Sequence, residues 1–280
     1  QGVTSVEIKS GYGLSVADES KILRVVQDLK QGSQRVHPSF LGAHTIPREF
    51  RSNRSAYVQQ IIEEQIPACA PFAEFIDIYC DRGAFDLDES IAILTAGKKA
   101  GLKIKAHAEQ VAHTGISSAA AKLGAVSVEH LERATEADCA ALAEHNTTAV
   151  LLPGAQFYLK DSAPPVATLR DYGVNIAIAS DLNPGSSPIH DLWTAATMAC
   201  VLQGLRPKEA ILGITKMAGL AIDDPKSGIL TENSHADCII VRPPAGEPAN
   251  YESLIQHIGG LQIEAVILNG QLIHNSLPTR

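Results

Sequence analysis

Strand-like and helix-like stretches alternate at intervals of about 25–35 residues over most of this 280-residue chain. That alternation predicts an α/β protein, and its persistence predicts a (β/α)8 TIM-type barrel. Two further observations refine the prediction. Seven strands can be counted against the eight of a closed barrel, so the first barrel strand is expected to lie before residue 1. Near residue 225 the period changes, and short strands with an Asn269–Gly270 hairpin turn take over. The chain is therefore divided into a barrel over 1–225 and the remnant of a small β-sandwich domain over 226–280.

Each element has a local reason. Residues 3–9 (VTSVEIK) read as a strand ending in a glycine-rich loop, Ser10–Gly11–Tyr12–Gly13–Leu14. A helix over 15–32 follows, with Ile22, Leu23, Val25, Val26 and Leu29 on one stripe and Ser15 as cap. Strands are expected at 36–44, 75–81, 102–107, 125–130, 148–152 and from Asn175, where an apolar run ends near Asp181. Helices are expected between them at 57–69, 89–100, 116–123, 135–145 and 166–172, and Pro153–Gly154 reads as a stop. Beyond Asp181 come helices at 191–202 and 207–221, then strands at 236–242 and 263–273.

Composition narrows the function. A net charge of −8 with 45% hydrophobic residues is ordinary for an enzyme and argues against nucleic acid as a main partner. No apolar run approaches membrane-spanning length, and Gln1–Gly2–Val3–Thr4 opens no secretory pattern, so a cytoplasmic protein is expected. Cys69, Cys80, Cys139, Cys200 and Cys238 are odd in number and widely spaced, which predicts buried, reduced thiols.

Histidines carry the chemistry. His44, His107 and His130 each end a predicted strand on the same edge as Asp181. Singly each reads as structural; together they suit a catalytic Zn²⁺ or Fe²⁺ with a position open for water, and a further histidine as acid or base. The turn Asn183–Pro184–Gly185–Ser186 after Asp181 is expected to offer free N–H groups to an anion. A plainer reading has Asp181 capping a helix that begins near Ser187. The other histidines, including His37 and His274, are expected on helices or turns at the surface. If His107 faces the barrel axis, Lys105 does too, and it is expected against a carboxylate, with Glu7 first and Asp77 or Asp81 next.

These motifs resemble the amidohydrolase superfamily and, within it, the imidazolonepropionase family of histidine degradation. The resemblance rests on Val6–Leu14 (VEIKSGYGL), Phe40–His44 (FLGAH), His107–Gln110 (HAEQ), Leu151–Ala155 (LLPGA) and Ser180–Gly185 (SDLNPG), and covers nearly the whole chain. It implies hydrolytic opening of the imidazolone ring of imidazolone-propionate to N-formimidoyl-glutamate. By the resemblance His107 and Asp181 look like ligands of one divalent metal, Zn²⁺ or iron. His130 and Asp181 look like the proton-handling pair, and Tyr12, His44, Gln110, Asn183, Gly185 and Ser186 look like substrate contacts. A homodimer is implied by family analogy.

Other members of the superfamily, such as an aromatic-ring deaminase, and a metal-free scaffold barrel stay open at this point. The family's His-x-His ligand pair occurs nowhere in this sequence. With the first strand expected upstream, the chain made alone is expected to bind metal weakly, to lack ring-opening activity and to aggregate.

Overall fold

The computed structural model describes residues 1–259 and 261–276. Seven strands follow one another in a single sheet in chain order: β1 Ser5–Lys9, β2 Arg35–Ala43, β3 Phe75–Cys80, β4 Lys103–Ala108, β5 Ser127–His130, β6 Thr148–Leu151 and β7 Ile176–Ile178. The pairs from β1–β2 through β4–β5 are parallel, with Val6 opposite Val36 and Lys105 opposite Ser127. Strands β2–β5 are mostly buried, although β3, β4 and β5 carry the charged residues Asp77, Lys105 and Glu129 among their apolar ones.

The helices begin where side chains can satisfy their first N–H groups. Ser15 accepts from Asp18 N at the start of Val16–Leu29. Asp86 and Glu89 form a reciprocal capping box on Leu87–Lys99, whose last turn carries Lys98 and Lys99. Thr135 and Asp138 form another on Glu136–Glu144.

By compactness the chain forms two units. One comprises Ser5–Ala149 with Tyr172–Val174; the other comprises Gln1–Thr4, Val150–Asp171 and Asn175–Arg280. The first contains β1–β5. The second contains β7 and a three-stranded antiparallel sheet of β8 Cys238–Arg242, β9 Gln262–Leu268 and β10 Gln271–Asn275, in the order β10-β9-β8. The expected hairpin is there, with Asn269 and Gly270 both at positive φ.

Several expectations need correction. The strand before Pro153–Gly154 stops there as expected, but Pro153 also opens a helix that the sequence reading does not include, Pro153–Leu159, because the first helical position needs no N–H donor. The helix expected over 207–221 breaks into Pro207–Gly213 and Lys216–Ala221 at Thr215, whose backbone is not helical and whose hydroxyl donates back to Ile211 O at 2.6 Å. A short helix, Tyr251–Gln256, capped by Asn250, escaped the apolar pattern. No helix begins at Ser187; the next, Leu192–Gln203, is capped by Asp191, so Asp181 is not a helix cap. His37 lies half-buried in β2 and His274 lies in β10, neither on a helix or turn. All five cysteines are free, as expected, but only Cys69, Cys80 and Cys139 are buried; Cys200 and Cys238 are partly exposed. Among the described residues no helix is long and apolar enough to cross a membrane.

Candidate active site at the strand ends

The first unit gathers an unusual set of charges beneath its strand ends. Glu7 and Lys9 alternate onto one face of β1. The Lys9 ammonium lies 2.6 Å from Glu129, 2.7 Å from Asp77 and 3.0 Å from Glu7. Lys105, 1% exposed, lies 2.7 Å from the other Glu7 oxygen and 4.7 Å above the Phe75 ring. The Ser39 hydroxyl also donates to Glu7. The expected Lys105–Glu7 pair is thus present, and Lys9 extends it to Asp77 and Glu129.

Three carboxylates face two ammonium groups, so the cluster keeps one negative charge in excess. Burial opposes ionisation of Glu7, but Lys105 and Lys9 outweigh it and bring its pKa down to about 2. Burial likewise disfavours the Lys9 ammonium, yet Asp77, Glu129 and Glu7 hold its pKa well above the ordinary lysine value.

His107 stands one alternation beyond Lys105 on β4. Its Nδ1 lies 3.1 Å from Asp77 Oδ2, 3.2 Å from Oδ1, and 3.7 Å from Glu129 Oε2. Burial pulls the imidazolium down, but the Asp77 and Glu129 carboxylates prevail and raise its pKa to about 9. With Nδ1 held by a carboxylate, Nε2 is the atom left to bind a cation, the arrangement that orients metal-binding histidines. One ligand atom from each of Asp77, His107 and Glu129 falls within a 4.8 Å cluster. The donor types and the excess negative charge fit a divalent metal.

Around His107 lies a group of rings. Its centroid is 5.5 Å from His130, 6.0 Å from Tyr79 and 6.4 Å from His44, and His44 is 5.5 Å from Tyr12. Four of the residues singled out in the sequence therefore meet: Tyr12, His44, His107 and His130. Gln110 is buried in the turn just past β4.

His44 Nδ1–H donates to the Gly11 carbonyl at 2.9 Å, and burial lowers the pKa of the ring. His130 is 4% exposed, and both it and Leu131 hold positive φ, a strained conformation for such side chains. Among the described residues His130 Nδ1 has no hydrogen-bond partner, and it lies 3.6 Å from the equally unpartnered Glu132 Oε2.

Asp181 belongs to the second unit, where it too has positive φ. Its loop corrects the expectation of free donors. The N–H groups of Gly185 and Ser186 donate to Asn183 Oδ1 at 2.9 and 2.7 Å, and Asn183 Nδ2 donates to the Asp181 carbonyl. The turn is closed on its own asparagine.

The sequence reading missed Glu19, Tyr79, Glu129 and Glu132. The period-2 phase of Glu7, Lys9, Lys105 and His107 pointed to acidic partners for the lysines, but Glu129, on the neighbouring strand, was passed over for His130. A second acidic cluster, Glu109, His113 and Asp138, is structural. Glu109 accepts from Thr114 N and from Ser117 N and Oγ, and Asp138 accepts from Thr135, Ser118 and His113.

No family model matches the chain. Among curated proteins, the imidazolonepropionase of Shewanella sp. (strain ANA-3) is 43% identical over 281 aligned residues, covering 98% of this chain and 67% of that protein. The imidazolonepropionase of Shewanella baltica (strain OS155) is 44% identical over 282, with the same coverage. The chain thus spans about two thirds of the length of these relatives. Among solved structures, an adenosine deaminase from Xanthomonas campestris with bound zinc superposes with a TM-score of 0.73 at 17% identity, covering 97% of this chain and 66% of that one. A triazine hydrolase variant gives 0.74 at 14% identity, with 98% and 68% covered. At such identities the likeness establishes the fold alone, a (β/α) barrel.

Proposed function

The chain belongs to the imidazolonepropionase family, and from that premise we propose how its residues serve a metal-dependent hydrolase of histidine degradation. The substrate we propose is imidazolone-propionate, opened by water to N-formimidoyl-glutamate. Water adds to the ring carbonyl carbon, the C–N bond to the adjacent ring nitrogen breaks, and that nitrogen takes up a proton. The observation that carries this reading is His107, fixed through Nδ1 by buried Asp77 and surrounded by His130, His44 and Tyr12.

His107 Nε2 and Asp181 are the proposed ligands of one divalent metal, zinc or iron. Bound there, such an ion supplies Lewis-acid polarisation and lowers the pKa of a water to about 7. His130 is the proposed group that hands a proton to the departing ring nitrogen, with Asp181 taking one from the attacking water. Asp77, and through it Lys9 and Glu129, keeps the His107 ring in one orientation. Tyr12, His44 and Gln110 are proposed to bind the ring, and Asn183, Gly185 and Ser186 the carboxylate end, with the Gly185 and Ser186 N–H groups exchanging Asn183 Oδ1 for the substrate carboxylate. We further propose a cytoplasmic homodimer.

The test is turnover of imidazolone-propionate by the metal-loaded protein, extended to the length of its relatives, beside cytosine and guanine, with metal content read separately. We expect ring opening alone, abolished in Asp181→Asn with the fold retained. Deamination of either base, or Asp181→Asn turnover near wild type at full metal content, would reject the assignment.

A further inference from the structure

We propose that Glu19 is a positioning residue for substrate selection: by holding the Gly11–Leu14 loop it presents Tyr12 and fixes His44 as a hydrogen-bond acceptor, so that the site selects a ring bearing an N–H. The proposal rests on the reading of Tyr12 and His44 as substrate contacts.

Glu19 lies in the first turn of Val16–Leu29, where the helix N-terminus favours negative charge, yet its side chain turns back into the preceding loop. It is fully buried, and among the described residues it pairs with no basic side chain. Its partners are backbone N–H groups instead. Gly11 N–H donates to both carboxylate oxygens at 2.9 and 3.2 Å, Gly13 N–H to one at 2.7 Å, and Leu14 N–H to the same one at 2.9 Å. Such a nest of converging N–H groups is the chain's own anion site, filled by the chain's own anion.

The two glycines are required by this geometry. Gly11 has φ +111°, and a Cβ on Gly13 would come within 2.7 Å of the Glu19 backbone nitrogen. Between them, Tyr12 is 64% exposed, held outward by a loop with no slack, its ring edge against His44.

The loop also settles which His44 nitrogen carries the proton. Gly11 directs its N–H to Glu19 and its carbonyl to His44 Nδ1. A carbonyl can only accept, so Nδ1 bears the hydrogen and, in the neutral ring, Nε2 offers a lone pair. A lone pair at Nε2 recognises a donor. An imidazolone ring has N–H donors; an otherwise identical ring with oxygen in place of that N–H would face the lone pair with another lone pair. Glu19 touches neither ring, and acts through the Gly11 peptide.

Two measurements on the same extended, metal-loaded protein test this. Nitrogen-15 NMR of the histidine rings reads the His44 tautomer without turnover, and steady-state kinetics separates KM from kcat. Wild type should show the Nδ1–H form. Glu19→Gln, which aims an NH₂ at backbone donors, and Glu19→Ala should lose that single form and raise KM about tenfold or more, with kcat falling less. Glu19→Asp should recover part of both. The ring-oxygen analogue should bind wild type about tenfold or more weaker, and discriminate less in Glu19→Gln.

An Nε2–H tautomer in wild type overturns the proposal. So do variants that lose only thermal stability while KM, tautomer and analogue discrimination stay put. Should Glu19→Ala fail to fold, the wild-type tautomer and the analogue still decide. If wild type shows the Nδ1–H form but opens no imidazolone ring, the functional reading falls and the loop geometry stands.

Discussion

The two units differ in the charge they bury. Beside apolar side chains such as Phe75, Ile76, Ile78 and Ile104, strands β1–β5 carry an ionic cluster in which Asp77, Lys105 and Glu129 are buried and Glu7 and Lys9 partly so, linked by contacts of 2.6–3.0 Å. Around β7 the buried groups are aliphatic and small: Val150, Leu152, Ala155, Ala177 and Ala221, with Ala179 and Met217 against them. Apolar packing tolerates loss because the surroundings relax partway. An ionic cluster does not, because removing one member leaves another charged and dry. The difference places geometric precision under the histidines and ordinary burial elsewhere.

Removing one charge should therefore cost more than removing a larger apolar volume. Lys105→Met is expected to destabilise by about 3–5 kcal/mol, since it strips Glu7 of its main partner. The cost should shrink in acid as Glu7 takes a proton, and Glu7→Gln combined with Lys105→Met should recover part of it. Urea unfolding at pH 5 and pH 7 reads both effects. A loss under 1 kcal/mol, or no recovery in the double variant, would mean that the cluster is loosely held.

Leu152→Ala, in the aliphatic group, should cost about 2–3 kcal/mol, toward the low end of its class because the alanines around it offer few contacts to lose. No ionisable group belongs to that cluster, so the loss should be the same at both pH values. A pH-dependent loss would erase the contrast between the units.

How much of this was legible follows from the same contrast. Strand order and the meeting of His44, His107 and His130 were readable because a strand has period two and its end places side chains at one edge. The Lys105–Glu7 pair was readable from that phase together with the cost of a lone buried ammonium. Glu19 was not readable. On a helical pattern it is simply an acidic residue in a first turn, and its partners depend on a loop with a residue at φ +111° that no periodicity reveals. The closing of the Gly185 and Ser186 N–H groups on Asn183 was likewise hidden, because the turn motif predicts donors without saying who accepts. Pro153 marks the end of β6 as expected, but a stop signal does not say that a helix begins at the same residue.

The smallest expected effect tests an ionic group of the first unit away from the strand ends. Glu74 accepts from Lys30 Nζ at 2.6 Å and from His37 Nδ1 at 2.8 Å. Burial pushes its carboxyl up, but these two partners prevail and bring the folded pKa to about 2 from 4.5. A carboxyl depressed on folding adds stability that is full above its unfolded value and lost as the pH falls through the folded one. The contribution should therefore be constant at neutral pH and fade between about pH 4.5 and 2. The pair is partly exposed, so Glu74→Gln should cost only about 0.2–1 kcal/mol at pH 7. Urea midpoints of wild type and Glu74→Gln should converge on acidification to about pH 3 and below. Midpoints that diverge there instead would show that the carboxylate is held worse in the folded chain than in the unfolded one, and the ionic packing of the first unit would then be confined to the strand ends.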